Sequence, residues 1–206
     1  VWMPHLPASR QGALTRASER AVAFLLRAQQ SDGSWVPLWF GNQSAPDERN
    51  PAYGTSRVIR ALAELYCRLG AQGWNSKLLF VRRKKNNIAY RHEIPIRQAM
   101  EAGRQWLIAA QNADGSWGGF AKGPGSIEET ALVLDALSET ARLPCSVTQT
   151  AMFDAAISAG ANWLLTELEK NTWPNPTPIG FYFAKLWYFE KLYPCIFSVA
   201  ALRAVL

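Results

Sequence analysis

FLLRAQQSDGSW at residues 24–35 and WLIAAQNADGSW at residues 106–117 are two copies of one pattern. Phe24-Leu25, Gln29 and Asp32-Gly33-Ser34-Trp35 recur as Trp106-Leu107, Gln111 and Asp114-Gly115-Ser116-Trp117, every match offset by 82. Spacing as well as composition repeats, and a period of this length marks an array of similar units.

A second block follows each copy. Thr55, Val58, Ala61 and Leu62 recur as Thr130, Val133, Ala136 and Leu137, offset by 75, so the connecting loop is seven residues longer in the first unit, in the stretch WFGNQSAPDERNPAYG. A degenerate third copy starts at Gly160-Ala161-Asn162-Trp163-Leu164, with Leu168 where Gln is expected and Trp173 one residue early.

Periodicity assigns the elements. Ala21, Phe24, Leu25 and Ala28, and likewise Ala99, Gly103, Trp106 and Leu107, fall at helical spacing, predicting helices over 17–30 and 96–111. Each runs into Asp-Gly, a turn pair. Val58, Ala61, Leu62 and Leu65, and Ala131, Leu134 and Leu137, predict the second helix of each unit, and Ser126 with Glu129 reads as a capping box. Residues 151–170 and about 181–205 read as a further helical pair, with Pro194 expected to kink or end the last helix.

A helical hairpin cannot bury both faces alone, so such units stack or close into a ring. The expected fold is all-α: helical-hairpin repeats over about 17–70, 94–142 and 151–206, forming half of a six-hairpin (α/α)6 toroid, with a basic insertion at 77–93. The chain reads as one domain over 1–206; its start on Val and early helical text suggest a segment of a longer chain. Gln29, Trp35, Gln111 and Trp117 read as structural: the amide satisfies free groups at helix ends, and the indole packs over it.

Composition removes several classes of function. Apolar residues make up 49% of the 206, enough for a real core, which excludes simple disorder. Cys67, Cys145 and Cys195 lie far apart, and His5 and His92 are the only histidines, so no disulfide scaffold or His-rich metal site is expected. No run approaches the roughly 18 apolar residues of a membrane-spanning helix. The net charge of +6 resides in Lys77, Arg82, Arg83, Lys84, Lys85 and Arg91. That run reads first as a solvated loop, with contact to anionic lipid headgroups as the alternative; no nucleic-acid motif flanks it.

The paired blocks resemble the QW repeats of the triterpene cyclases, the squalene-hopene and oxidosqualene cyclase family, over most of the chain from about residue 17. WFGNQSAPDERNPAYGT (39–55), SIEETALVLDAL (126–137) and PTPIGFYFAKLWYFEKLYP (176–194) are similar to the C-terminal half of bacterial squalene-hopene cyclases. The resemblance implies two α-helical barrels around an apolar cavity. It implies a bacterial enzyme lying monotopically on the cytoplasmic side of the membrane and cyclising a squalene-like polyprenoid without metal or organic cofactor. In that family a protonated Asp of a D-x-D-D motif attacks the terminal alkene, and aromatic faces shelter the cations that follow.

No D-x-D-D occurs in these 206 residues, so the acid is expected upstream in the remainder of the parent chain, and this segment alone is expected to be inactive. By the same resemblance, Tyr53 supports that acid. Trp39, Phe181, Tyr182, Phe183, Trp187 and Phe189 line the cavity, in either of two registers differing by one residue. By helical periodicity Tyr182, Leu186, Phe189, Tyr193 and Phe197 fall on one stripe, readable as core or as cavity wall. Two other readings remain open: a non-catalytic helical module binding apolar ligands or protein partners, and a zinc-dependent protein prenyltransferase β-subunit, which the placement of His5 and His92 disfavours.

Overall fold

The computed structural model describes residues 7–74, 88–141, 143, 147–170, 176–181 and 185–205. Six helices carry the chain there: α1 (Ala8–Ala28), α2 (Pro51–Trp74), α3 (Ile88–Ala110), α4 (Ile127–Ala141), α5 (Val147–Glu169) and α6 (Tyr193–Val205). Three short strands interrupt them, β1 (Phe40–Asn42), β2 (Pro178–Phe181) and β3 (Leu186–Phe189). The architecture is all-α, with the strands confined to one small sheet.

The two blocks of the repeat become two layers. α2, α4 and α6 lie side by side with α4 in the middle, α3 packs on α2, α5 packs on α4, and α1 packs on α3. Because α4 is covered from several sides, thirteen of its fifteen residues are buried. Ile59 and Leu62 of α2, Leu107 of α3, Leu134 and Leu137 of α4, and Phe153 and Leu164 of α5 form one continuous core. Each such side chain contributes roughly 1.5–3 kcal/mol through burial.

The turn that ends each first helix fastens its unit to the next. Gln29 Nε2 donates to Gly33 O within its own turn at 2.9 Å and to Ala99 O on α3 at 2.9 Å. Gln111 does the same to Gly115 O and to Ala156 O on α5, at 2.9 Å each. Trp35 Nε1 donates to Leu25 O and Trp117 Nε1 to Leu107 O, both at 2.7 Å. Their backbone amides donate to Thr55 Oγ1 and Thr130 Oγ1 at 2.9 Å, which explains why Thr opens each second block.

Gly33 and Gly115 both sit at φ 94°, a left-handed conformation that side chains disfavour. Asp32 completes the first turn by accepting from Ser34 N at 3.0 Å and from Trp106 Nε1 at 3.0 Å. Burial pulls the Asp32 carboxyl up, but these bonds outweigh it and hold it below the usual carboxylate range. The hydrogen bonds of Ser116 and Trp163 hold Asp114 down in the same way, against a smaller effect of burial. The third unit, though it lacks its own Asp-Gly-Ser-Trp, thus supplies Ala156 and Trp163 as the receptor for the second.

The end of the chain differs from the helical expectation. β2 pairs antiparallel with β3, and the helix starts only at Tyr193. Phe181, Trp187 and Phe189 are therefore strand residues, and the stripe Tyr182-Leu186-Phe189-Tyr193-Phe197 does not exist as one helical face; Tyr182 and Phe183 lie outside the described residues. The run LWYF is rich in residues that fit a pleated surface, and over four positions period two and period 3.6 are not distinguishable. Pro194 neither kinks nor ends a helix: it sits in the first turn of α6, where a missing N–H costs little. The basic segment 77–91 lies outside the described residues up to 87, and residues 88–91 are already helical in α3.

The tightest point of the clasp is where an indole lies over a glycine. A Cβ on Gly160 would stand 2.4 Å from Trp117 Cζ3, whereas one on Gly12 of α1 meets nothing nearer than 3.5 Å. Gly160→Ala should lower stability by about 1–3 kcal/mol in urea unfolding, as overpacked sites do, while Gly12→Ala should be neutral or stabilising by up to about 1 kcal/mol. Equal effects of the two changes would show that the clasp does not govern repeat packing.

Candidate functional site

The longer first loop places β1 beside β2, so two segments far apart in sequence share one sheet of order β1-β2-β3. Phe40 pairs with Phe181, Gly41 with Gly180 and Asn42 with Ile179. The stretches 39–55 and 176–194 thereby meet.

Tyr53 stands at this junction. Asn50 is the N-cap of α2: its Oδ1 accepts the Tyr53 N–H at 2.9 Å, and Pro51 follows at the first helical position. The Tyr53 ring lies 4.7 Å from that of Phe40, tilted by 39°. Its phenol is half-buried, and burial raises its pKa above the ordinary tyrosine value; Arg57 opposes this, while Tyr193 and Tyr188 add to it. The Tyr188 phenol is raised too, first by burial and then by Tyr193, with which it shares a hydrogen bond. Three phenols, from α2, β3 and α6, thus stand within electrostatic reach of one another, and Tyr193 continues to Phe197 at 5.0 Å. Tyr193 belongs to the stripe read from sequence as core or cavity wall, but its grouping with Tyr188 and Tyr53 was not expected.

The other candidates divide. Trp187 is half-buried, while Trp39 is 56% and Phe189 63% exposed, together with Leu38, Leu186, Leu192, Ile196 and Val199. Gln29, Trp35, Gln111 and Trp117 lie in the clasps between units.

Beneath the sheet lies a buried carboxylate pair. Glu129 Oε1 accepts from Asn42 Nδ2 at 3.2 Å and from Asn50 Nδ2 at 2.9 Å, and Ser126 Oγ donates to Oε2. The expected capping box is half realised. Ser126 Oγ accepts the Glu129 N–H at 3.1 Å, but the Ser126 N–H donates to Trp117 O at 3.0 Å, so the carboxylate is free to bind the loop. Glu128 turns the other way, its oxygens accepting from Thr177 N at 2.6 Å and Thr177 Oγ1 at 2.7 Å, next to β2. Burial raises the Glu128 pKa; the two Thr177 bonds oppose this and the neighbouring Glu129 reinforces it.

Among the described residues no group of three or more His, Cys, Asp or Glu side chains could hold a metal ion, and no helix is long and apolar enough to cross a membrane. Two open depressions, of about 540 and 610 Å³, lie beside the Asp-Gly-Ser-Trp turns, and none of the candidate aromatic residues lines them.

No protein-family model matches the chain. It is 26% identical to a terpene cyclase-glycosyl transferase fusion protein of Humicola fuscoatra over 94% of this chain and 13% of the relative. It is 28% identical to a copalyl diphosphate synthase of Streptomyces cyslabdanicus over 66% of this chain and 19% of the relative. It is 29% identical to the enfumafungin synthase of Hormonema carpetanum over 84% of this chain and 10% of the relative. The chain is thus homologous to terpene cyclase-type proteins, and it spans less than a fifth of the length of these curated relatives.

Because the folded value for Glu128 lies above the ordinary 4.5, its bound proton contributes stability that is complete below about pH 4.5 and is lost as pH rises through the folded value. Urea midpoints for wild type and Glu128→Gln should show wild type losing ground to the variant as pH rises above 4.5. A gap moving in favour of wild type with rising pH would mean that Thr177 dominates instead.

Proposed function

We propose that this chain is a C-terminal segment of a squalene-hopene-type triterpene cyclase, in which three hairpins make half of an (α/α)6 ring and supply part of the wall of an apolar substrate cavity. The observation that carries the reading is the pairing of β1 with β2. It puts Phe40, on which Tyr53 packs, in one sheet with the strand that carries Tyr188, and the same segments carry the exposed Trp39, Leu186 and Phe189. The similarity to terpene cyclase-type proteins supports it independently.

The chemistry follows from what an alkene requires. A carbon–carbon double bond is a very weak base, so protonating it needs a strong, preorganised acid. That acid belongs to the rest of the parent chain. Once the proton adds to the terminal alkene, each neighbouring double bond donates its π pair to the cation, forming a ring bond and passing the charge onward, until a proton is lost or water is captured. Aromatic faces stabilise each cation by on the order of 2 kcal/mol when water is excluded. Trp39, Phe181, Tyr182, Phe183, Trp187 and Phe189 are assigned to this wall, and Tyr53 to the hydrogen-bonding support of the acid. The enzyme acts at the cytoplasmic face of the membrane, where its substrate dissolves, and the exposed apolar side of this segment faces the remainder of the parent chain and the cavity.

The relative named as a copalyl diphosphate synthase widens the substrate class to polyprenoids bearing a diphosphate. Incubating the full-length parent with squalene and, separately, with a linear prenyl diphosphate, followed by mass spectrometry of the products, distinguishes the two. Polycyclic hydrocarbon or alcohol from squalene is expected. A cyclic diphosphate would replace squalene by the alternative, and no cyclic product from either would leave a non-catalytic apolar-binding module. In the active parent, Tyr53→Phe should lower turnover about tenfold or more, or redirect products, within the range of a lost catalytic hydrogen bond. Unchanged turnover and products would remove Tyr53 from the mechanism. The isolated segment should show no turnover.

A further inference from the structure

We propose that Glu129, acting together with Glu128, is a positioning residue that sets the relative placement of the two wall segments, and so controls which product the cavity yields. The inference rests on the cyclase reading and goes beyond it, because neither carboxylate lies in the wall.

Glu128 is 1% and Glu129 2% exposed at the first turn of α4, so neither reaches solvent. Carboxylates are seldom buried so completely unless their oxygens are occupied, and these are occupied by loops rather than by cations. From Glu129 one path runs through Asn42 to β1, and a second runs through Asn50, the N-cap of α2, to the Tyr53 backbone. From Glu128 a third path runs through Thr177 to the start of β2. Two adjacent residues on one rigid helix therefore hold both halves of the β1-β2 pairing.

The residue type matters. A carboxylate is acceptor-only on both oxygens, so Glu129 takes two amide donors on one oxygen and the Ser126 hydroxyl on the other. Glutamine keeps the shape but offers one neutral oxygen: with its N–H₂ toward Ser126 Oγ it holds the two Asn donors less strongly, and turned the other way it loses them. Glu129→Gln thus shifts the Asn42–Asn50 loop without opening a cavity, and in a cation cascade displacement of a wall by a fraction of an ångström changes which ring closure is favoured.

The test uses the full-length parent with the substrate it cyclises. Glu129→Gln, Glu128→Gln, Tyr53→Phe and the Glu129→Gln/Tyr53→Phe double variant are compared by product ratio, kcat and KM, with folding checked by circular dichroism and melting. Glu129→Gln should fold, lower kcat with little change in KM, and change the ratio of major to minor products by about threefold or more, the scale of coupling within one hydrogen-bond network. In the Tyr53→Phe background the same change should have a smaller effect, because one of its two paths places Tyr53 and loses its consequence once the phenol is gone. A variant that melts lower but keeps the wild-type product ratio, or effects that simply multiply in the double variant, would overturn the proposal. Should Glu129→Gln fail to fold, Asn50→Asp, which keeps an N-cap acceptor but sets a second carboxylate against Glu129, decides the same question. A wild-type parent that cyclises nothing would refute the functional reading instead, so the two failures are distinguishable.

Discussion

A primary amide has two donor hydrogens, and the packing of these repeats depends on where they go. In Gln29 and Gln111 the amide nitrogen reaches a carbonyl of its own turn and a carbonyl on the first helix of the next unit. Both acceptors are half-sheltered backbone groups that would be costly to leave unpaired. The indole then closes over a glycine of that neighbouring helix, so polar satisfaction and close packing select the same register. The near identity of the two sets of distances shows that this is a property of the repeat and not an accident of one loop.

Everything that positions the candidate site follows from that register. Because each first-block helix is fastened to the turn before it, α2, α4 and α6 are brought side by side, and α4 is enclosed. The start of α4 then lies beneath both the longer first loop and the segment entering β2. A carboxylate pair buried there holds strands from opposite ends of the chain in one sheet. This polar base holds the two segments together, Phe40 packs on Tyr53 and Tyr193 on Phe197 above it, and Trp39 and Phe189 stay exposed.

Much of this was legible in the sequence, and the reasons for the rest are physical. The clasp was visible because it repeats at fixed spacing: Gln, Asp-Gly and Trp each occupy a position that admits few alternatives. Its receptors, Ala99 and Gly103 on α3 and Ala156 and Gly160 on α5, were not, since small helical residues carry no mark of what lies against them. α2 starts at Pro51, well before the first periodic apolar residue, and the pair Asn50-Pro51 was the available signal. β2 and β3 depart from the helix expected over about 181–205 because a short aromatic run fits either period, and which strand pairs with which is a tertiary fact. Glu129 announced itself as a capping residue, but its bonds to Asn42 and Asn50 cross a sequence separation that local pattern cannot bridge.

The central claim is that residues 39–55 and 176–194 form one wall through the register of β1 on β2, and disulfide trapping addresses it most directly. In the full-length parent, with Cys67, Cys145 and Cys195 changed to Ser, Phe40→Cys combined with Phe181→Cys places two thiols on directly opposed strand positions. The account predicts rapid formation of an intramolecular bridge in that pair and little in Phe40→Cys combined with Ile179→Cys, which is two residues out of register. Equal trapping of the two pairs, or preference for the second, would contradict it.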